Sequence, residues 1–256
     1  MNKLQEKNKQ ELENTILSSN NYGDYKVLRY INTNNIEVEF LQTKTKLTVT
    51  LNSIRRGTLR DPYYPSVYGV GYFGIGKYSS RPESNGPQST CYKRWKEMIG
   101  RCYNKTSSGY ESYGARGVTV CKEWLNFQNF AQWWEENCYN EQYQLDKDVL
   151  NKNSKQYSPE NCCFIPREIN TMLTSRRSER GDYPMGVRLK DGHIIAQINY
   201  MGTKKHLGTF NTVEEAFAAY KKAKETCIKE YADKYKDSLP SKVYNALYNY
   251  VVEITD

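Results

Sequence analysis

The chain has 256 residues, of which 38% are hydrophobic, and its mean hydropathy of −0.85 leaves little apolar material for one large core. No run of the sequence approaches a membrane span, and several small units joined by polar connectors are expected. Thirty-seven Lys and Arg against 29 Asp and Glu give a net charge of +8, which favours a polyanionic partner over a neutral or acidic one.

The 23 tyrosines point the same way, because an aromatic face packs a base or sugar while its hydroxyl stays wet. Solvated surface lysines on a soluble basic protein are the plainer alternative. Seven cysteines (Cys91, Cys102, Cys121, Cys138, Cys162, Cys163 and Cys227) are odd in number and include no C-x-x-C pair. That argues against a disulfide framework and a zinc ribbon. The N-terminal "MNKLQEKNKQELENTIL" is charged throughout, with no apolar signal region. A reducing cytoplasm and no membrane partner are the expectation.

In chain order, residues 3–18 suggest a short helix, with Leu4, Leu12, Ile16 and Leu17 set among charges. The pattern then changes to period two, over 25–31, 36–41 and 46–51, with the turn "NTNN" between the first two. Alternation at this spacing predicts a small antiparallel barrel or meander, closed by Ile54 to Gly57. Pro62, Pro65, Pro82 and Pro87 punctuate an extended connector. Within it Gly69-x-Gly71-x-x-Gly74 matches a dinucleotide fingerprint in spelling. No helix can open at "IGKYSSRPESNGP", so these glycines are expected to serve backbone turns.

A helix is predicted from about Ser89 to Arg101, with Trp95, Met98, Ile99 and Cys102 on one face. A second begins at the N-cap Asn126, with Phe127, Phe130, Ala131 and Trp134 at helical spacing. Both stripes read as core. Between them lies a tight loop and short strand with Gly114 and Gly117 as hinges. The stretch "LDKDVLNKNSKQYSPENCCFIPREIN", 145–170, reads as strand, turn, strand and helix. After a polar linker the C-terminal part reads as three strands, with a turn at Lys190-Asp191-Gly192. A helix follows from the capping box Thr212 to Glu215, with Val213, Ala216, Phe217, Tyr220, Ala223 and Cys227 inward. A last helix is expected from Pro240 to about Val252.

The fold class is thus α+β and multi-domain. Its parts are an N-terminal helix (1–20), a small β barrel or meander (21–60), a connector (61–88), a central part (89–175), a basic linker (176–182), a three-stranded antiparallel sheet plus helix (183–232), and a C-terminal helix (233–256).

Two of these parts resemble known families. Gly186-Val187-Arg188, Ala196-x-Ile198, Leu207-Gly208-Thr209-Phe210 and the Glu-Glu-Ala at 214–216 are similar to the ethylene-response-factor (APETALA) DNA-binding domain. The resemblance covers about fifty residues and implies a sheet that enters the major groove of duplex DNA. It carries over Arg188, Gln197 and Asn199 as contacts, with Lys204 and His206 where the family has Arg and Trp. Lys190 and Lys205 complete the basic set, although solvated turn charge explains lysines equally well.

Over 89–175, "WKEMIGRCYN", "YGARGVTVCKEW", "FQNFAQWW", "LDKD" and "YSPENC" resemble the H-N-H (His-Me finger) endonucleases of phage genomes. The resemblance implies a ββα-metal fold around one divalent cation, Mg2+ or Mn2+. Asp146 would be its first ligand and Asn170 its second, and Asn161 would be the turn Asn. Lys147 stands where that family has its base histidine. A Lys of ordinary pKa, about 10.4, is a poor base, and Asp146 and Asp148 favour its charged form further. The sequence has two histidines, His193 and His206, both in the C-terminal part.

Three alternatives stay open. Cleavage uses Lys147 or an Asp-held water, or the fold has lost activity and Lys147 neutralises phosphate, or "LDKD" is an ordinary turn with an ion pair. The resemblances imply a DNA endonuclease of homing type acting in a bacterial host cytoplasm. The competing reading is a non-cleaving DNA-binding or regulatory protein, with the β module available to a host protein. For Cys102, Cys121 and Cys162, buried thiols are preferred over a structural zinc.

Overall fold

The computed structural model describes residues 3–83, 85–174, 183–200 and 202–254. It is a mixed α+β protein with several small sheets and, among the described residues, no closed barrel. Two compact units, Met1–Glu136 and Asn137–Asp256, divide it. The boundary falls within the stretch 89–175. The basic linker expected over 176–182 lies outside the described residues.

The first unit opens with α1 (Lys3–Leu12), β1 (Ile16–Ser19), β2 (Gly23–Asn32), β3 (Asn35–Phe40), β4 (Lys46–Val49) and α2 (Leu51–Arg55). The four strands form an open antiparallel meander in sequence order. A helix continuing to residue 18 is corrected here. Asn14 adopts a left-handed φ of 65°, and its N–H bonds to Val27 O. That ends α1 and sends Ile16 and Leu17 into a strand beside β2.

Along β2 the inward phase begins on odd residues, Tyr25 and Val27, and switches to Tyr30, because a bulge interrupts the register between Val27 and Arg29. Ile36, Val38 and Phe40 alternate inward from β3, and Leu51, Ile54 and Leu59 cover the open end of this core. Leu51, expected as the end of a strand, instead starts α2. Thr50 caps that helix by accepting from Ser53 N at 3.2 Å.

The connector glycines serve packing. Gly74 has φ +75°, and a Cβ there would meet Asn126 Oδ1 at 2.0 Å. A Cβ at Gly71 would stand 3.1 Å from the Trp95 ring. Helix α3 (Thr90–Tyr103) is capped by Ser89 and buries Trp95, Met98, Ile99 and Cys102. The Trp95 indole N–H donates to Trp124 O at 2.7 Å. After the short β5 (Thr119–Val120), α4 (Phe127–Asn137) starts behind Asn126, whose Oδ1 accepts from Gln128 N at 3.0 Å. Phe127 and Phe130 then join Trp95 and Trp124 in an aromatic core, Trp95–Phe127 tilted and Trp124–Phe130 edge-to-face.

The second unit contains β6 (Gln144–Asp146), β7 (Gln156–Tyr157), β8 (Cys163–Ile165) and α5 (Arg167–Leu173), followed by β9 (Val187–Lys190), β10 (His193–Tyr200), β11 (Thr203–Phe210), α6 (Val213–Lys234) and α7 (Ser241–Tyr248). β6 and β8 pair antiparallel and lead directly into α5. β11, β10 and β9 form a second antiparallel sheet in that order. Asp191 and Gly192, both at positive φ, make the two-residue turn between β9 and β10.

Helix α6 starts at the complete Thr212–Glu215 capping box and runs to Lys234, past the expected 183–232 part. It buries Ala216, Phe217, Tyr220 and Cys227, whereas Val213 and Ala223 are half-buried. Helix α7 is shorter than expected. It stops at Tyr248, and the backbone of Val252 is instead held by α6, donating to Glu225 at 2.9 Å and accepting from Lys221 at 2.8 Å. The seven described cysteines form no disulfide.

Candidate functional site

The side chains singled out in the sequence fall into two sets, both in the second unit. The first is the ββα segment. Asp146 ends β6, opposite Cys163 of β8. Its Oδ1 accepts two backbone N–H bonds, from Asp148 at 2.8 Å and Val149 at 2.9 Å, so the carboxylate closes the turn that follows its own strand. Oδ2 takes no hydrogen bond among the described residues. Burial pushes the Asp146 carboxyl up from its ordinary range, against the two backbone bonds that pull it down. Burial, with Asp146 as a nearby charge, pushes the Cys163 thiol up as well.

Gln144 lies two residues before Asp146 on β6, hence on the same face. Its Oε1 accepts from the Asn170 amide on α5. Asp146 and Asn170 therefore stand on one side of the strand pair, with the Asn170 side-chain Oδ1 taking no hydrogen bond among the described residues. Gln144 went unnoticed in the sequence, although period-two spacing from Asp146 marks it. Asn161 ties the intervening loop, accepting from Asn151 at 3.0 Å and donating to Gln156 O at 3.1 Å.

Lys147 is 8% exposed. Its ammonium donates to Asp148 Oδ1 at 2.7 Å and to Ser154 O at 2.6 Å. Of the three alternatives, the ion-paired turn describes this side chain as it sits. It braces the loop, with Nζ donating to both acceptors.

Among the described residues no three His, Cys, Asp or Glu side chains gather as a metal set. What Asp146 and Asn170 offer is one carboxylate oxygen and one amide oxygen. Such hard donors suit a Mg2+-like ion that keeps several waters and takes further oxygens from a phosphate.

The second set is the β9–β11 sheet. Its inner face is Val187, Ala196 and Ile198, all buried, and Tyr200, whose hydroxyl donates to Glu230 of α6. Gly186 reaches Tyr220 of α6 so closely, at φ +78°, that any Cβ would collide with the ring. Strand alternation and register place Arg188, Lys190, Gln197, Asn199, Lys204 and His206 together on the opposite face. All but the half-buried Gln197 are exposed. Ile195, paired between Arg188 and Thr209, gives that face a buried apolar centre.

Lys205 does not join them. It pairs with Ile198 on the inner face, and its ammonium rests 3.6 Å from the centroid of the Tyr200 ring. The expected place of Lys205 in the basic set is thereby corrected, because consecutive strand residues point to opposite sides.

No protein-family model, curated protein or solved structure matches this chain.

Proposed function

We propose that this protein is a DNA-binding endonuclease of the H-N-H homing type. In this reading the outer face of the β9–β11 sheet docks in the major groove of a duplex, and a divalent cation at Asp146 and Asn170 serves phosphodiester cleavage. The observation that carries the reading is the sorting of side chains. Six polar or cationic residues with no ion pair among the described residues share the sheet face away from α6, and Asp146 and Asn170 share one side of the strand pair.

Each group has a defined task. The Arg188 guanidinium is suited to the O6/N7 edge of guanine, and the Gln197 and Asn199 carboxamides to the N6/N7 edge of adenine. Lys204 and Lys190 neutralise phosphate. Asp146 Oδ2 and the Asn170 side-chain Oδ1 would hold Mg2+ or Mn2+. Such a cation supplies Lewis-acid polarisation of a phosphoryl oxygen and acidifies water. Lys147 and Asn161 hold the loop that carries Asp146. Lys147 is a positioning residue rather than the base.

That commitment of Lys147 favours one second reading, a DNA-binding protein that does not cleave. Nicking of supercoiled plasmid in Mg2+ or Mn2+ separates the two. On the endonuclease reading the wild type nicks, Asp146→Asn does not while still binding duplex, and Lys147→His brings no gain because the site holds an ammonium between two acceptors. Absence of nicking with either ion, together with protection of a duplex from digestion, decides for the binder.

A further inference from the structure

Helix α5 has a second working side. Arg167, Thr171 and Thr174, at positions i, i+4 and i+7, line a cleft of about 780 Å³ whose other wall is the sheet at Gln197, Asn199 and Lys204. The cleft exists because β9 begins only at Val187, opposite Ala196. Beyond that pair, β10 has no strand neighbour on this edge among the described residues.

The charge of the cleft is one-sided. Arg167 and Lys204 are exposed and make no ion pair among the described residues. Lys224, 8% exposed, adds a third cation and donates to Met172 O. The one carboxylate in the described lining, Glu168, is held by Lys234 at 2.9 Å. The side-chain amides of Gln197 and Asn199 make no hydrogen bond among the described residues. Tyr220 and Tyr231 also line the cleft but are only 4% and 8% exposed, and the cations and amides that dominate its rim suit a phosphate rather than a base.

We infer that this cleft receives the phosphodiester backbone of the same duplex that the sheet reads, on the flank nearest α5. The inference rests on the DNA-binding reading proposed above. A polynucleotide fits better than a free nucleotide because Gln197, Asn199 and Lys204 belong both to the cleft and to the outer sheet face, making the two surfaces continuous. Asn170 projects from the same short helix, so the Asp146–Asn170 corner would meet phosphates at a fixed offset from the recognised bases.

The test uses the full chain and a duplex selected for binding. For Arg167→Ala, the slope of log K against log salt should fall by about 0.9, the value for one lost phosphate contact. Thr171→Glu puts a carboxylate into the cleft without removing a hydrogen bond. It should weaken binding roughly tenfold at low salt and shorten the footprint on one flank, with base preference unchanged. This second variant keeps the test alive if Arg167→Ala fails to fold.

Unchanged slope, affinity and footprint in both variants overturn the cleft, even if Arg188→Ala still loses base preference. Failure of the wild type to bind any duplex removes the parent reading as well. Calorimetric binding of inorganic phosphate or a mononucleotide that matches the duplex in affinity and disappears in Arg167→Ala would overturn the assignment to a polynucleotide.

Discussion

Lys147 and Asp146 are neighbours in sequence with opposite duties. The ammonium turns inward and joins Asp148 to the carbonyl of Ser154, closing the loop from 147 to 154. Truncating it leaves that partly buried carbonyl without its donor, at a cost of about 1 kcal/mol, so Lys147→Met should act first on stability. Asp146 binds two backbone amides through one oxygen while burial raises its pKa above the ordinary 3.8. A carboxyl whose folded value is raised contributes stability that is fully present below its unfolded value. That contribution is lost as pH rises through the folded value.

Asn at position 146 can accept the same two amide bonds but carries no charge. Asp146→Asn should therefore match the wild type in denaturant titrations below about pH 4 and exceed it at neutral pH without added cation. A variant less stable than wild type at pH 7 would contradict the burial account. Asp146 and Asn170 are singled out in the sequence by the H-N-H resemblance alone, and nothing there shows the fate of Lys147. Its partner carbonyl lies seven residues away across a loop whose path no periodicity encodes.

At the scale of elements, most helices and strands follow from pattern because local physics and packing agree. Ser89, Asn126 and Thr212 each cap the helix that the apolar spacing demands. What the pattern hid are phase changes. In β11, Lys204 and His206 face outward, and simple alternation would carry Phe210 outward too. The register slips between Ala196 and Gln197, which passes over Leu207, so that Gly208 and Phe210 return to the helix side. Gly208 adopts φ +144° there, with the Phe210 ring 3.1 Å from where a Cβ would stand.

Leu-Gly-Thr-Phe is thus a bulge written in sequence, and the glycine makes it possible. Gly208→Val should cost about 1–3 kcal/mol and lower the melting temperature of the chain. A variant melting with the wild type would show that the bulge does not depend on this backbone conformation. The N-terminal misreading has a similar origin. Asn14 breaks a helix by adopting a left-handed conformation, and nothing in the charge pattern of residues 3–18 marks the break.

Over the whole molecule, polar composition correctly indicated small cores. The meander gathers one around Tyr25, Val27, Ile36 and Phe40, and the α3–α4 region gathers another around Trp95 and Phe127. Among the described residues, no helix is long and apolar enough to cross a membrane. The excess of positive charge finds a specific expression in the second unit, where the sheet face opposite α6 collects Arg188, Lys190 and Lys204 with two carboxamides and a histidine. Which strand residues share that face could be read only once the register was known, and Lys205 shows how a shift of one position changes the answer.

The central claim is that this face takes duplex DNA. Footprinting of the full chain on a pool of random duplexes, repeated with Arg188→Ala, tests it most directly. The account predicts a defined protected site for the wild type. Arg188→Ala should cost about 1–3 kcal/mol and relax preference at one base position. A wild type that protects no duplex at low salt, or an Arg188→Ala chain with the same affinity and the same preference, would contradict it.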